Sequence, residues 1–269
     1  PEELIGEYGA DALRFTLAAL DSPGRDIPVD RGRMAGYRAF GNKIWNATRY
    51  SLSRVGEARV SGEKNGQTAL AVEGLAAPER WILSRLSRTA AEVNAQLEAF
   101  RFDEACARLY HFFWGELCDW YIELSKPALS SDGDASRPRV GEVLLTVLDH
   151  SLRLLHPVMP HLSEELWHRL PGYEAVHPET ISLAPYPSAV EAWEDEALEK
   201  QMEALQAVVT RVRSLRTELS LPPRAAVTLY LSAPLEGEAF LREHEALLRF
   251  LLRPQELAYG TPPEGVPQD

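Results

Sequence analysis

The chain has 269 residues and a formal net charge of −12, from 40 acidic and 28 basic side chains. Its 45% hydrophobic content is enough for a sizeable buried core and excludes a disordered chain. No apolar run reaches the ~18 residues of a transmembrane helix, and two cysteines exclude a disulfide framework. The sequence opens at Pro1 without a basic and then apolar leader, so we expect no signal peptide, no membrane association and a cytoplasmic location.

The first part of the chain is predicted to be a series of helices. Apolar residues recur at three- and four-residue spacing, which is the period of a helix with one buried face. The predicted helices span residues 1–20, 31–55, 78–99, 102–129, 137–155 and 161–170. A long loop is predicted between the second and the third, because glycines interrupt any period there. The fourth helix is dense in aromatic residues, which we expect to belong to the core: Tyr110, Phe112, Phe113, Trp114, Trp120 and Tyr121.

A different pattern begins after Leu170, where prolines mark an irregular connector. The elements predicted beyond it are a long helix over 192–219, a strand over 226–232, a helix over 236–252 and a strand over 255–259. We therefore predict a mainly α protein with a helical bundle over 1–190. The second domain, 191–269, is predicted to be the long helix with a small α/β subdomain, incomplete at its C-terminal end. Two strands do not form a stable sheet alone, so they must pack on adjacent helices or be completed by further chain.

No pattern in the sequence predicts an active site. There is no glycine-rich phosphate loop and no nucleophile elbow. Cys106 and Cys118 lack the CxxC spacing of a zinc site, and His156, His161 and His168 lack the i, i+4 spacing that places two ligands on one helix face. We interpret these histidines as structural, and we predict no catalytic residue, no metal site and no cofactor in this chain.

The helix predicted over 31–55 lies in a concentration of positive charge. Residues 24–59 hold eight basic and only three acidic residues, although the whole chain is acidic. A projection at about 100° per residue places an apolar stripe on one side of this helix. The stripe consists of Tyr37, Phe40, Ile44, Ala47, Leu52 and Val55. The complementary sector consists of Arg38, Asn42, Lys43, Trp45, Asn46, Arg49 and Tyr50.

This sector combines the side chains that recognise single-stranded RNA. Cations bind phosphates, asparagine amides can bind base edges, and aromatic rings can stack on unpaired bases. Two alternatives remain open at this point. The sector can be a solvated helix face with an incidental excess of arginine, or the chain can be a scaffold that binds protein partners through its acidic long helix.

Several strings in the sequence resemble the anticodon-binding region of class I aminoacyl-tRNA synthetases. The string Asp11-Ala12-Leu13-Arg14 matches the signature that opens this region in several of these enzymes. The strings Gly24-Arg25-Asp26-Ile27 and Asn42-Lys43-Ile44-Trp45-Asn46 are similar to valyl-tRNA synthetases in particular, and the string Cys118-Asp119-Trp120-Tyr121 fits the same family. The corresponding region of an isoleucyl- or leucyl-tRNA synthetase stays an alternative, because the first signature is shared.

The resemblance implies that the chain is a piece of a valine–tRNA ligase and that the full enzyme aminoacylates valine tRNA with ATP and Mg²⁺. The family's catalytic motifs, HIGH and KMSKS, do not occur here, so this chain is expected to be non-catalytic. The implied partner is the anticodon stem-loop of tRNA, and we expect a monomer. The residues expected to bind tRNA are Arg38, Asn42, Lys43, Asn46, Arg49 and Tyr50. Asp11 and Arg14 are assigned to structure, as an intrahelical or helix-packing pair.

Overall fold

The computed structural model describes residues 1–21, 30–60, 63–64, 67–68, 70–131, 133–172, 179–222, 225–232 and 235–263. The chain separates into two compact units, Pro1–Asp195 and Glu196–Asp269. The division predicted from the sequence lies slightly earlier, after residue 190. The predicted architecture, a mainly α bundle followed by a small α/β part, is confirmed.

The first unit is a bundle of eight α-helices within the described residues. They are α1 (Glu2–Tyr8), α2 (Ala10–Ala19), α3 (Arg31–Leu52), α4 (Ala77–Glu98), α5 (Phe102–His111), α6 (Ile122–Ser130), α7 (Arg137–Leu155) and α8 (Pro160–Trp167). A π-helix, Phe112–Tyr121, joins α5 to α6, and single 3₁₀ turns lie at Ile181–Leu183 and Glu191–Trp193. The loop predicted after α3 contains a short antiparallel hairpin, β1 (Glu63–Lys64) with β2 (Gln67–Thr68).

The single helix predicted over 1–20 is wrong, because the chain breaks at Gly9 into α1 and α2. Gly9 has φ 90° and ψ 153°, a backbone conformation that is essentially restricted to glycine. The apolar side chains that recur at helical spacing over residues 1–20 therefore belong to two helices with different axes. Of this segment, Ala12, Phe15 and Thr16 on α2 are buried.

The continuous α-helix predicted over 102–129 is also wrong in its middle, which is π-helical. Of the six aromatic residues expected in the core, Phe112, Phe113 and Tyr121 are fully buried. Tyr110, Trp114 and Trp120 are only partly buried. In a π-helix the hydrogen bonds join residues five apart, so the buried and exposed faces do not follow the period of 3.6 residues.

Helix α7 is the centre of the first unit, and every residue from Val143 to Leu155 is buried. Two of these residues are charged, and they compensate one another: Arg153 Nη2 donates to Asp149 Oδ2 at 2.7 Å. Trp167 Nε1 of α8 donates to the other carboxylate oxygen of Asp149 at 2.7 Å. Buried charges are tolerated when they are paired and hydrogen-bonded in this way.

Glu116 of the π-helix is a further buried charged residue and connects three helices. Arg85 Nε of α4 donates to its Oε2 at 2.8 Å, and Arg108 Nη1 of α5 donates to its Oε1 at 2.7 Å. Burial alone would raise the pKa of Glu116, but the hydrogen bonds and charges of the two arginines lower it below the usual value. The π-helix is therefore held in place by an ion-pair network as well as by apolar packing.

The assignment of Asp11 and Arg14 to helix packing is confirmed, although they do not form the expected contact with each other. Asp11 accepts hydrogen bonds from the backbone N–H groups of His161 (3.2 Å) and Leu162 (2.6 Å) in the first turn of α8. Arg14 Nη2 donates to the carbonyl oxygen of Pro157 at 2.8 Å. The pair thus anchors α2 to the start of α8 and to the segment that precedes it.

The second unit consists of α9 (Glu196–Glu218), β3 (Thr228–Leu231), α10 (Leu235–Glu243), α11 (Glu245–Leu252) and β4 (Glu256–Tyr259). The two strands are parallel, with Thr228 opposite Glu256 and Leu231 opposite Tyr259. A parallel pair requires a crossover connection, which α10 and α11 supply. The helix predicted over 236–252 is divided at His244. Helix α9 packs on α10 and α11, so the strands belong to an α/β unit rather than standing alone.

Candidate nucleic-acid interface

Helix α3 carries all the residues that the sequence analysis selects for RNA binding. It begins after Asp30, whose carboxylate accepts from the backbone N–H of Arg33 at 3.0 Å and so caps the helix. Its buried residues are Met34, Phe40, Ile44, Thr48 and Ser51. The Phe40 ring lies 5.5 Å from the ring of Phe15 on α2 and 6.1 Å from that of Phe113 on the π-helix.

The predicted apolar stripe is confirmed in part. Phe40, Ile44 and Val55 are buried, whereas Tyr37, Ala47 and Leu52 are only partly buried. Thr48 and Ser51, which the predicted stripe does not include, are also buried. Ser51 Oγ donates to the carbonyl oxygen of Ala47 at 2.9 Å, so its hydroxyl is satisfied within the helix and can face the bundle.

Three of the predicted residues form an exposed strip along α3. Asn42, Asn46 and Arg49 are at positions i, i+4 and i+7, which share one helix face. Within the described ranges, their side chains make no hydrogen bond or ion pair with another residue. Two amides and one guanidinium are therefore presented together to solvent.

Arg38 is one turn before this strip and is also exposed. Its Nη1 donates to the carbonyl oxygen of Glu7 at 2.7 Å, near the C-terminal end of α1. This bond fixes the direction of the side chain and leaves the other guanidinium N–H groups to face outward, since a guanidinium has five donors.

Lys43 and Tyr50 lie on the flank of α3 that faces the π-helix and α6. Lys43 Nζ is 2.6 Å from Asp119 Oδ1 and 3.7 Å from the ring centroid of Trp114. The Tyr50 ring has two cations near it, with Arg54 at 5.4 Å and Lys126 at 5.5 Å from its centroid. These two residues are thus partly engaged within the protein, unlike the exposed strip.

Trp45 lies on the opposite flank, where the Arg169 guanidinium is 4.9 Å from its ring centroid. We use the name "polar α3 face" for the six predicted residues without Trp45. They are Arg38, Asn42, Lys43, Asn46, Arg49 and Tyr50. The structure brings all six to one side of α3, with four exposed side chains and two at the flank.

Other helices add residues to this side that could not be predicted from the sequence of α3. Asp119 and Trp114 come from the π-helix and Lys126 from α6, far along the chain from α3. Arg137 of α7 also reaches the end of α3, where its Nη2 donates to the carbonyl oxygen of Arg54 at 3.4 Å. A projection of one helix contains no signal for such neighbours, because they depend on how the helices pack.

Several other features of the described residues bear on function: possible metal ligands, the two thiols, His156 and the long helices. No group of three His, Cys, Asp or Glu side chains among them is arranged to hold a metal ion. Burial raises the pKa of both thiols, Cys106 and Cys118, to about 12, so they are protonated at neutral pH. His156 contacts Ser163 Oγ at 2.7 Å and Ser182 Oγ at 2.9 Å, which supports its structural role. None of the described helices is both long enough and apolar enough to cross a membrane.

One family of known proteins matches more than half of the chain. The family described as "Anticodon-binding domain of tRNA ligase" matches residues 79–231, from the first turn of α4 to the end of β3. The match includes the π-helix with Trp114 and Asp119. Helix α3 precedes the matched residues.

Curated relatives cover nearly the whole chain, including α3. The valine–tRNA ligase of Thermotoga maritima is 41% identical over 259 residues, which are 96% of this chain and 28% of that protein. The valine–tRNA ligase of Agrobacterium fabrum is 40% identical over 261 residues, 97% of this chain and 27% of that protein. That of Stenotrophomonas maltophilia is 41% identical over 265 residues, 98% of this chain and 27% of that protein. The chain therefore spans little more than a quarter of the length of these relatives, and its resemblance to valine–tRNA ligases is confirmed.

A solved structure has the same fold over most of the chain. It is a chain in the crystal structure of the ternary complex of Agrobacterium radiobacter K84 agnB2 LeuRS with tRNA and LeuAMS. The likeness has a TM-score of 0.52 at 21% identity and covers 72% of this chain and 21% of that chain. At this identity the likeness bears on the fold alone.

Proposed function

Because the chain belongs to the family of anticodon-binding domains of tRNA ligases, we propose that its polar α3 face binds the anticodon stem-loop of a valine tRNA. The exposed strip of Asn42, Asn46 and Arg49 carries this proposal. Its side chains have no partner within the described residues, and they combine a cation for phosphate with amides for base edges. The flanking Tyr50 adds a ring on which an unpaired base can stack.

The charge of the molecule supports an RNA partner at this place. The chain as a whole is acidic, with a net charge of −12, and would repel a polyanion. Arg38 and Arg49 are exposed on α3, and Arg54, Lys126 and Arg137 surround its C-terminal end. A phosphate backbone would therefore meet its favourable contacts along α3.

The enzyme that this chain would serve follows from its relatives. We propose that it acts within a valine–tRNA ligase, which joins valine to its tRNA with ATP and Mg²⁺, and that this chain reads RNA without itself catalysing the reaction. We also propose that the chain acts as a monomer in the cytoplasm. An isoleucine or leucine enzyme is the second candidate in the same group, since these enzymes share the signature Asp11-Ala12-Leu13-Arg14.

Fluorescence anisotropy of a labelled valine anticodon stem-loop, titrated with the chain at two salt concentrations, tests the proposal. Isoleucine and leucine stem-loops are run beside it. Binding to phosphates releases counterions, so affinity should fall linearly in the logarithm of salt concentration. Salt-dependent binding that favours the valine loop is the expected result. Equal binding of all three loops would leave RNA binding intact and remove valine specificity from this chain.

Two variants on the exposed strip separate phosphate contacts from base contacts. Arg49→Ala should weaken binding to every loop and reduce the salt slope by about one, because one cation is lost. Asn46→Ala should cost about 1–3 kcal/mol with an unchanged salt slope, because a neutral base contact is lost. The controls are Arg249→Ala on α11, an exposed arginine paired with Glu245, and Lys200→Ala on α9. Unchanged binding in both strip variants would show that the polar α3 face is only a solvated surface.

A further inference from the structure

The π-helix brings two side chains to one lysine of the polar α3 face. Asp119 Oδ1 is 2.6 Å from Lys43 Nζ, and the same ammonium group lies 3.7 Å from the ring centroid of Trp114. The Trp114 ring is itself stacked on Tyr110 at 5.6 Å with an interplanar angle of 16°. Lys43 is therefore held between a carboxylate and a fixed aromatic ring.

This arrangement depends on the π-helical geometry. Trp114 and Asp119 are five residues apart, and at about 100° per residue an α-helix would point them roughly 140° away from each other. In a π-helix residues five apart are one turn apart and share a face. Both side chains can therefore contact Lys43 at once. Segments of π-helix in other helices are frequently found at functional sites.

The exposure of the pair shows that it is not a buried structural ion pair. The Asp119 side chain is 52% exposed and the Lys43 side chain 25% exposed. In the part of the chain that the structure describes, no group donates a hydrogen bond to Asp119 Oδ2. An acceptor and a donor thus lie side by side at the edge of the polar α3 face, with one carboxylate oxygen open to solvent.

A carboxylate at this position repels phosphate, so it cannot be explained by attraction to the RNA backbone. Side chains that accept hydrogen bonds suit base edges instead, where carboxylates accept from amino groups such as N4 of cytosine. Resting on the proposed function, we propose that Asp119 is a specificity-determining residue that, together with Lys43, reads an anticodon-loop base with an amino group.

The base class follows from the order of donor and acceptor. Asp119 would accept from the exocyclic amino group of cytosine or adenine, and Lys43 would donate to the adjacent ring nitrogen, N3 of cytosine or N1 of adenine. Uracil and guanine have a carbonyl oxygen where the amino group stands. That oxygen would face the carboxylate, so these bases should be rejected.

Stem-loops with single transition substitutions test this assignment. A C-to-U or A-to-G change replaces the exocyclic amino group with a carbonyl oxygen and keeps the size of the base. Each cytosine and adenine of the loop is changed singly, and each loop is titrated against the unmodified chain and Asp119→Asn. The variant keeps the shape of the side chain, and its amide can present either a donor or an acceptor. The control is Asp103→Asn on α5, which removes a carboxylate that is likewise paired with a basic residue, Arg101.

The unmodified chain should lose roughly tenfold or more of its affinity at one loop position when the amino group is swapped. In Asp119→Asn the loss of affinity caused by the base change at that position should fall below about threefold, while the losses at other positions stay unchanged. Asp103→Asn should discriminate among the loops as the unmodified chain does. An equal loss of affinity for every loop, with discrimination intact, would overturn the assignment and reduce Asp119 to a residue that positions Lys43. Absence of salt-dependent binding to any loop would instead overturn the proposed function, and this assignment with it.

Discussion

Two buried glutamates of the first unit have pKa values shifted in opposite directions, and their surroundings explain the difference. Glu116 is paired with Arg85 and Arg108, which stabilise its charged form against the effect of burial. Burial raises the pKa of Glu79, in the first turn of α4, to about 7, and a backbone hydrogen bond, together with a smaller effect of the Tyr121 hydroxyl, offsets this only in part. At neutral pH Glu79 is thus near its midpoint while Glu116 is charged.

Glu79 should therefore make the stability of the first unit fall as the pH rises. Its folded pKa of about 7 lies above the usual 4.5, so the folded state binds the extra proton between these values. This raised pKa contributes to the free energy of unfolding, and the contribution is fully present below pH 4.5. It is lost progressively as the pH rises from 4.5 through 7, and the total loss is about 3 kcal/mol. Urea unfolding at pH 5 and pH 8 measures this, and Glu79→Gln should flatten the dependence. A profile with the same slope in the variant would place the cause elsewhere.

Glu116 provides an internal contrast in the same experiment. Its pKa is lowered, so its stabilising contribution is present above the unfolded value and lost only in more acidic solution. Its titration therefore lies outside the window between pH 5 and pH 8. Glu116 therefore contributes nothing to the slope in that window, and the part of the slope that Glu79→Gln removes is the part that belongs to Glu79.

At the scale of elements, the break between α1 and α2 depends on one backbone conformation. Gly9 has φ 90° and ψ 153°, and no heavy atom beyond its chain neighbours lies within 4 Å of the place where a Cβ would stand. Substitution there would therefore cost backbone strain without a steric clash. Gly6, inside α1, is also free of neighbours but has ordinary helical geometry.

Gly9→Ala should destabilise the first unit by about 1–3 kcal/mol, because alanine must adopt a conformation that favours glycine. Gly6→Ala makes the same chemical change in a helix interior and should be neutral or stabilising by up to about 1 kcal/mol. The free energies of unfolding of the two variants, compared with that of the unmodified chain, check both values. Equal effects at the two positions would show that the break does not depend on Gly9.

The sequence predicts an element well where one hydrophobic period runs through the whole element, as in a regular α-helix. Helix α7 matches the predicted span of 137–155, and the polar α3 face lies on one side of its helix as the projection indicates. The π-helix and the break at Gly9 could not be predicted in this way, since a projection assumes one constant angle per residue. The partners of Lys43 were missed for a further reason: Asp119 and Trp114 reach it only through helix packing.

At the scale of the whole molecule, the chain consists of two units, each with its own core. Leu148 on α7 is fully buried in the first unit, and Leu248 on α11 is fully buried in the second. All six tryptophans lie at or before Trp193, within the first unit, so their emission reports on that unit alone. Circular dichroism in the far ultraviolet reports on the helices of both.

Truncating one buried leucine in each unit should therefore shift different unfolding signals, either tryptophan emission or circular dichroism. Leu148→Ala and Leu248→Ala each remove a fully buried leucine side chain and should each cost about 2–5 kcal/mol locally. Leu148→Ala should lower the unfolding midpoint seen by tryptophan emission. Leu248→Ala should lower only a circular dichroism transition and leave stem-loop binding by the polar α3 face unchanged. A shift of the tryptophan midpoint in Leu248→Ala would mean that the two units unfold as one.

The π-helix has a consequence for how this part of the chain can vary over evolution. Substitutions within Phe112–Tyr121 change single contacts, but an insertion or deletion of one residue changes the number of residues in each wide turn. A shortened segment would relax toward α-helical geometry and rotate Asp119 away from Trp114. Lineages that keep both contacts with Lys43 should therefore conserve the length of this segment more strictly than its amino acids.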